Sequence, residues 1–189
     1  PSVFNYDGIA SSFSLNTNES RALRALAESH DVTLYTVMMA ALYVTLSKLS
    51  GQNDVVIGTP SDNRNNADTQ EIIGLFVNSL PIRLSCNETQ SVSSLFNTTN
   101  KSLLDAKEHQ DMSFETLTQL LDVPRDSSRH PIFQVMFSVQ SFATNKDHAE
   151  ELPFRVPSGT SASLFPKTAK FDLNMFIDDS AEEISGELT

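Results

Sequence analysis

The sequence predicts an α/β fold of two layers, a mixed β-sheet covered by helices. Asp54-Val55-Val56-Ile57-Gly58 is the β-branched run of an interior strand. Phe171, Leu173, Met175 and Ile177 alternate with Lys170, Asp172, Asn174 and Asp178 at the two-residue period of another. Thr33 to Leu49 and Ser91 to Gln110 carry apolar residues at helical spacing.

From the start of the chain, Asn16 to His30 sets Ala and Leu at 22, 23, 25, 26 and 27 among charged residues, a short surface helix with Asn16 or Thr17 as its cap. In the next helix Leu34, Met38, Ala41, Leu42, Thr45 and Leu49 share a face. Val37, Val44 and Leu46 widen that stripe, so the helix is buried, and Gly51 ends it. After the strand at 54–58, Thr59 to Glu71 is polar and reads as a long loop, which in a compact domain is more often functional than accidental.

Phe76 to Ser85 sets Leu80, Ile82 and Leu84 against Pro81, Arg83 and Ser85, a half-exposed strand that Pro81 puts at an edge or a bulge. The helix from Ser91 to Gln110 runs through Val92, Leu95, Phe96, Thr99, Leu103 and Ala106, and a shorter one starts at Ser113 and stops before Pro124. Ile132 to Val139 is an almost wholly apolar strand. The stretch between it and the strand at 171 is irregular. No repeat of 20 to 50 residues is present, which excludes a solenoid or propeller.

At 189 residues, 39% hydrophobic and 20% charged, the chain suits one globular domain. Its net charge of -11 repels phosphate backbones and anionic headgroups, so neither nucleic acid nor membrane is expected as a partner. No apolar run approaches the roughly 20 residues of a membrane span, and Pro1 to Gly8 lacks the marks of a signal peptide. A cytoplasmic location is expected, in keeping with a single cysteine, Cys86. The first residue is not Met, and the expectation is a piece of a longer polypeptide.

The four histidines, at 30, 109, 130 and 148, have no ligand spacing, so no metal site is expected. There is no Gly-x-Ser-x-Gly elbow, and the six glycines are scattered singly rather than gathered into a phosphate-binding loop. Three clusters remain. They are Ile72-Ile73-Gly74-Leu75-Phe76-Val77-Asn78-Ser79-Leu80-Pro81-Ile82-Arg83, His109-Gln110-Asp111-Met112-Ser113-Phe114-Glu115, and Arg125-Asp126-Ser127-Ser128-Arg129-His130-Pro131-Ile132-Phe133. By default His109 is a helix C-terminal residue and Asp111 a loop cap, while Arg125 and Arg129 are solvated or paired with nearby acids. Asn78, inside an apolar strand, needs partners for its amide.

In order and spacing these clusters resemble three core motifs of nonribosomal peptide synthetase condensation domains. The first is similar to Ile-Gly-x-Phe-Val-Asn-Thr-x-x-x-Arg through Gly74, Phe76, Val77, Asn78 and Arg83, with Ser79 replacing Thr. The second is similar to His-Gln-Asp-x-Pro-Phe-Glu through His109, Gln110, Asp111, Phe114 and Glu115, with Ser113 replacing Pro. The third is similar to Arg-Asp-x-Ser-Arg-Asn-Pro-Leu through Arg125, Arg129 and Pro131, with His130 and Ile132 as departures. Tyr43 to Asn65, including Leu49 to Pro60, and Lys170-Phe171-Asp172-Leu173 also look like the family.

The resemblance implies one lobe, the C-terminal one over 1–189, of a chloramphenicol acetyltransferase-like fold whose two lobes enclose a tunnel. Upstream and downstream carrier proteins bring thioesters on phosphopantetheine arms, and an amide bond forms at the lobe junction. No cofactor is expected to bind this lobe directly, and an adenylation domain is the expected neighbour. The family's His-His-x-x-x-Asp-Gly motif belongs to the N-terminal lobe and is absent here. Without that imidazole the chain alone is expected to lose about two to four orders of magnitude in rate. The resemblance implies that the Asn78 amide orients a substrate or intermediate oxygen in the tunnel. It also implies that Arg64 pairs across the lobe interface with the Asp of the absent motif, and that the stretch from Ser141 to Thr168 includes a crossover to the other lobe. The remaining motif residues are expected to be structural. Alternatives are a carrier-docking module without chemistry, or a lobe of an epimerisation or heterocyclisation domain.

Overall fold

A computed structural model describes residues 5–64, 67–85, 89–124, 126–140 and 168–189. Cys86, Arg125 and all but Thr168 of the stretch from Ser141 to Thr168, where a crossover is expected, lie outside them.

Helix starts follow local chemistry. At the head of α1 (Thr17–Ser29), the Asn16 side chain accepts the Glu19 N–H at 3.0 Å and the Glu19 carboxylate accepts the Asn16 N–H at 2.9 Å, a reciprocal cap. Thr33 caps α2 (Leu34–Ser50), and Gly51 closes it in the left-handed region at φ 69°. The buried side of α2 differs from the expected stripe. Thr36, Val37, Met38, Met39, Ala40, Leu42 and Tyr43 are buried, while Ala41, Thr45 and Leu49 are exposed. The reason is that the first half of α2 is covered on two sides. Met38, Met39, Leu42 and Tyr43 join the main core, while Val37 and Ala40 pack with Ala27 of α1 and with Phe96 of a later helix.

Strand β2 (Asp54–Ser61) runs three residues beyond the expected run, because it pairs along its whole length with β3 (Asn78–Ser85), from Asp54↔Ser85 to Ser61↔Asn78. The long loop therefore begins at Asp62, and it holds a single helical turn, α3 (Ala67–Gln70). As Pro81 requires, β3 is an edge strand, with Leu80, Ile82 and Leu84 buried. Ser91 caps α4 (Val92–Glu108) and Ser113 caps α5 (Phe114–Leu120).

The next strand, β4 (Val135–Gln140), starts three residues later than expected. Ile132 has φ 69°, and the Phe133 N–H donates to the Pro131 carbonyl at 2.8 Å. This is a γ-turn, strained for a β-branched residue, and it cannot continue a strand. β5 (Leu173–Asp178) is the alternating strand of the sequence. Two strands without a sequence signal, β1 (Ser11–Ser14) and β6 (Ser185–Leu188), complete the sheet, β6 pairing with β5 and β1 with β6.

Among the described residues the sheet has the order β1-β6-β5-β4-β2-β3, with β2/β4 and β4/β5 parallel and the other pairs antiparallel. It is mixed, as expected. Ile57, Leu80, Ile82, Leu84, Phe137 and Ile177 point to one face and form the core with α2, while Leu23 of α1 and Leu95, Leu103 and Ala106 of α4 pack against it. Each fully buried side chain of this kind contributes about 1.5–3 kcal/mol. Arg24 of α1 fastens this helical layer to the segment after β5, through Asp179 at 2.5 Å and the carbonyls of Ala181 and Glu182 at 2.9 and 2.7 Å.

Candidate functional site

Asn78 opens β3, and its amide nitrogen donates to the carbonyls of Gln110 and Met112 at 2.9 and 2.8 Å. Its oxygen accepts the N–H groups of Ser79 and Phe114 at 2.9 and 3.1 Å. Two donors and two acceptor positions are the whole capacity of a carboxamide. The expectation that this amide orients a substrate oxygen therefore meets a group whose bonds are already made. What Asn78 holds is the turn between α4 and α5.

The second motif is that turn. His109 caps the C-terminus of α4, its Nδ1 2.8 Å from the Asp105 carbonyl, which is the architectural place the sequence gives it by default. Gln110 is buried, and its Oε1 accepts a hydrogen bond from the Ser61 hydroxyl. Asp111 is exposed. Phe114 begins α5, and Glu115 is the exposed acid of its first turn.

Arg64 is half-buried in the loop after β2. Its guanidinium donates to the carbonyls of Thr69, Ile72 (2.9 Å) and Gly74 (3.3 Å), and its central carbon lies 4.3 Å from the centre of the Phe76 ring. Among the described residues no carboxylate pairs with it. The cation thus serves as the post around which 69–76 is wound, with the ring contact adding about 0.5–1 kcal/mol. The outer side of this segment is apolar. Ile72, Ile73, Leu75 and Val77 are all exposed, Leu75 over 91% of its surface.

A ring cluster joins the second and third motifs to Lys170-Phe171-Asp172. The His130 ring is 5.1 Å from Phe114, 4.6 Å from Phe133 and 4.9 Å from Phe171. The γ-turn at Ile132 swings Phe133 over Gly58, on the face of β2 opposite Ile57. A Cβ on Gly58 would lie 2.1 Å from that ring, so only glycine fits. Pro131 supplies the carbonyl of this turn. Arg129 is exposed. The nearby Asp126 carboxyl is held below its usual range chiefly by the Ser128 hydroxyl, then by the Ser128 N–H, with Arg129 a smaller cause. Arg83 stands apart from these groups, on the exposed side of β3, in a bidentate pair with Asp54 at 2.6–3.1 Å. That pair lowers the Asp54 pKa.

On the helix side, a cleft of about 400 Å³ opens between α2, α4 and the ends of β2 and β3. Tyr35, Thr59, Ser61, Leu80, Asn100 and Lys107 are among its walls. The Tyr35 and Thr59 hydroxyls are hydrogen-bonded there, and burial pushes the phenol pKa up to about 12 against the smaller opposing effect of that bond. Tyr35 lies outside every segment that resembles the family, and although Ser61 lies within Tyr43 to Asn65, nothing in the sequence singles out its hydroxyl.

The arrangement brings together Asn78, Gln110 and Phe114, sets Arg64 with Gly74 and Phe76, and leaves Arg83 and Arg129 outside. The Condensation domain family matches residues 1–189. Surfactin synthase subunit 1 of Bacillus subtilis (strain 168) is 40% identical over 184 residues, 97% of this chain but 5% of the relative. The crystal structure of a holo four-domain nonribosomal peptide synthetase bound to AMP and glycine superposes with a TM-score of 0.85 at 23% identity, covering 100% of this chain and 15% of that one. The X-domain from teicoplanin biosynthesis, solved in complex with OxyB, has a TM-score of 0.81 at 24% identity and covers 100% of this chain and 41% of that one. The match along all 189 residues establishes that the chain belongs to the condensation domain family.

Proposed function

We propose that the chain is the C-terminal lobe of a condensation domain, and that it acts with an N-terminal lobe bearing His-His-x-x-x-Asp-Gly. The carrier-bound amine attacks the thioester carbon of the upstream donor, a C–N bond forms, the C–S bond breaks and the donor's pantetheine thiol takes up the proton. Upstream and downstream carrier proteins supply both substrates on phosphopantetheine arms, an adenylation domain is the neighbour, and the location is cytoplasmic. This lobe contributes tunnel wall and lobe interface rather than the base.

The observation that carries the reading is the exposed apolar tract Ile72, Ile73, Leu75 and Val77, wound around an arginine that has no carboxylate partner among the described residues. Water-soluble surfaces rarely leave such a tract uncovered unless another surface binds it. Beyond the three N–H groups it donates within its own loop, the Arg64 guanidinium has others to spare, as a pairing with an Asp of the other lobe requires.

A second reading is a docking module without chemistry, favoured by the likeness to an X-domain solved with a bound partner. The intact two-lobed domain, given donor and acceptor thioesters on carriers, separates the two. Amide product in the mass spectrum supports condensation. Carrier binding without product supports docking.

A further inference from the structure

We propose that Asn78 is a positioning residue for condensation: with Ser61 and Gln110 it locks the α4–α5 turn onto the end of the β2–β3 ladder. The inference rests on the condensation reading.

Ser61 and Asn78 are cross-strand partners, so their side chains leave the ladder at the same point. Asn78 takes hold of the turn's backbone at Gln110, Met112 and Phe114. Ser61 holds it through the Gln110 side chain. These outside partners add to the turn's own backbone bonds, 3.3 Å for Gln110 N–H to the Lys107 carbonyl and 3.2 Å for Met112 N–H to the His109 carbonyl. Next to the lock stand two exposed apolar side chains, Val77 and Met112, on either side of the contact. The lock thereby fixes one end of the apolar tract at 72–77 relative to the turn, without reaching a reacting atom.

The test uses the intact domain with carrier-bound substrates and compares Asn78→Ala, Asn78→Asp and Gln110→Met, the last being the milder change at the far end of the lock. Two groups acting through one turn should move the same parameter. Each of Asn78→Ala and Gln110→Met is expected to raise the KM for the same carrier-bound substrate about 5- to 20-fold with a smaller fall in kcat, and the double variant should be little worse than Asn78→Ala alone. In Asn78→Asp a carboxylate faces the two carbonyls, and its protonated form can again donate to one. Its activity relative to wild type should therefore rise as the pH falls from about 8 to 6. Hydrogen exchange of the Phe114 N–H, at least about tenfold faster in Asn78→Ala, reads the lock independently of turnover.

A hundredfold loss of kcat in Asn78→Ala beside a wild-type Gln110→Met would show contact with the reacting groups and overturn the proposal. So would additive effects of the two variants, a flat pH ratio for Asn78→Asp, or unchanged exchange at Phe114. A wild-type domain that makes no amide contradicts the condensation reading instead, and the exchange measurement still decides whether the lock exists.

Discussion

Ser61 and Asn78 form the last cross-strand pair of the β2–β3 ladder, and both reach the same turn, one through the Gln110 side chain and the other through the backbone from Gln110 to Phe114. Gln110→Met keeps the volume of the buried side chain but removes the acceptor of the Ser61 hydroxyl, itself buried. A buried donor left without its partner costs about 1–3 kcal/mol. The expected outcome is a lower urea midpoint for the intact domain at an unchanged slope.

Gly58 is required by Phe133. An added Cβ would sit 2.1 Å from the ring, on a strand held on both sides by β3 and β4, so the ring must move rather than the backbone. Gly58→Ala is expected to destabilise the domain by about 1–3 kcal/mol, the usual range for overpacking. Adding Phe133→Leu should return part of the loss, since the smaller side chain vacates the contact. Urea unfolding of the two single variants and the double variant measures this. Strict additivity would show that Phe133 is not what excludes a side chain at 58.

Tyr35 gives the fold a limit at high pH. The unfolded phenol ionises near its ordinary value of 10.0, while the folded one holds its proton to about 12 because burial disfavours the phenolate. Its contribution is fully present below pH 10.0, and above that the unfolded state releases a proton that the folded state keeps, so stability falls through about pH 12. Tyr35→Phe should be less stable at neutral pH, where Thr59 loses its partner, and should show a flatter decline above pH 10.0. Unfolding free energies of the two proteins across this range, taken as a difference, isolate the phenol.

Much of the architecture was legible where local chemistry decides it. Thr33 and Gly51 bound α2, Pro81 puts β3 at an edge, and the alternation of Leu80, Ile82 and Leu84 names its buried side. β1 and β6 were not legible, because Ser11–Ser14 and Ser185–Leu188 carry no apolar period and are strands through pairing, β6 with β5 and β1 with β6. The apolar run at Ile132 looked like a strand, and a γ-turn three residues long broke it for the sake of the Phe133 ring. At the candidate site the motifs could be found, but not what they do. The carbonyls to which Asn78 donates lie more than 30 residues away on a turn, so its need for hydrogen bonds was readable while the groups that satisfy it were not. Arg64 was read toward an absent carboxylate, and the three carbonyls that hold it within its own loop were hidden for the same reason.

If this chain works as one lobe, the exposed apolar tract at 72–77 is the surface that another lobe covers. Ile73 and Leu75 are exposed in the chain itself, so Ile73→Asp/Leu75→Asp should leave its own packing undisturbed. In the intact domain the same two carboxylates would be driven into the lobe interface, where burying an unpaired charge is strongly unfavourable. The decisive measurement is the rate of amide formation by the intact domain carrying this double substitution, with circular dichroism verifying that both lobes remain folded. A loss of at least about tenfold, equivalent to 1.4 kcal/mol, is the result predicted. A rate equal to wild type would contradict the assignment of this tract, and of the chain, to a lobe interface.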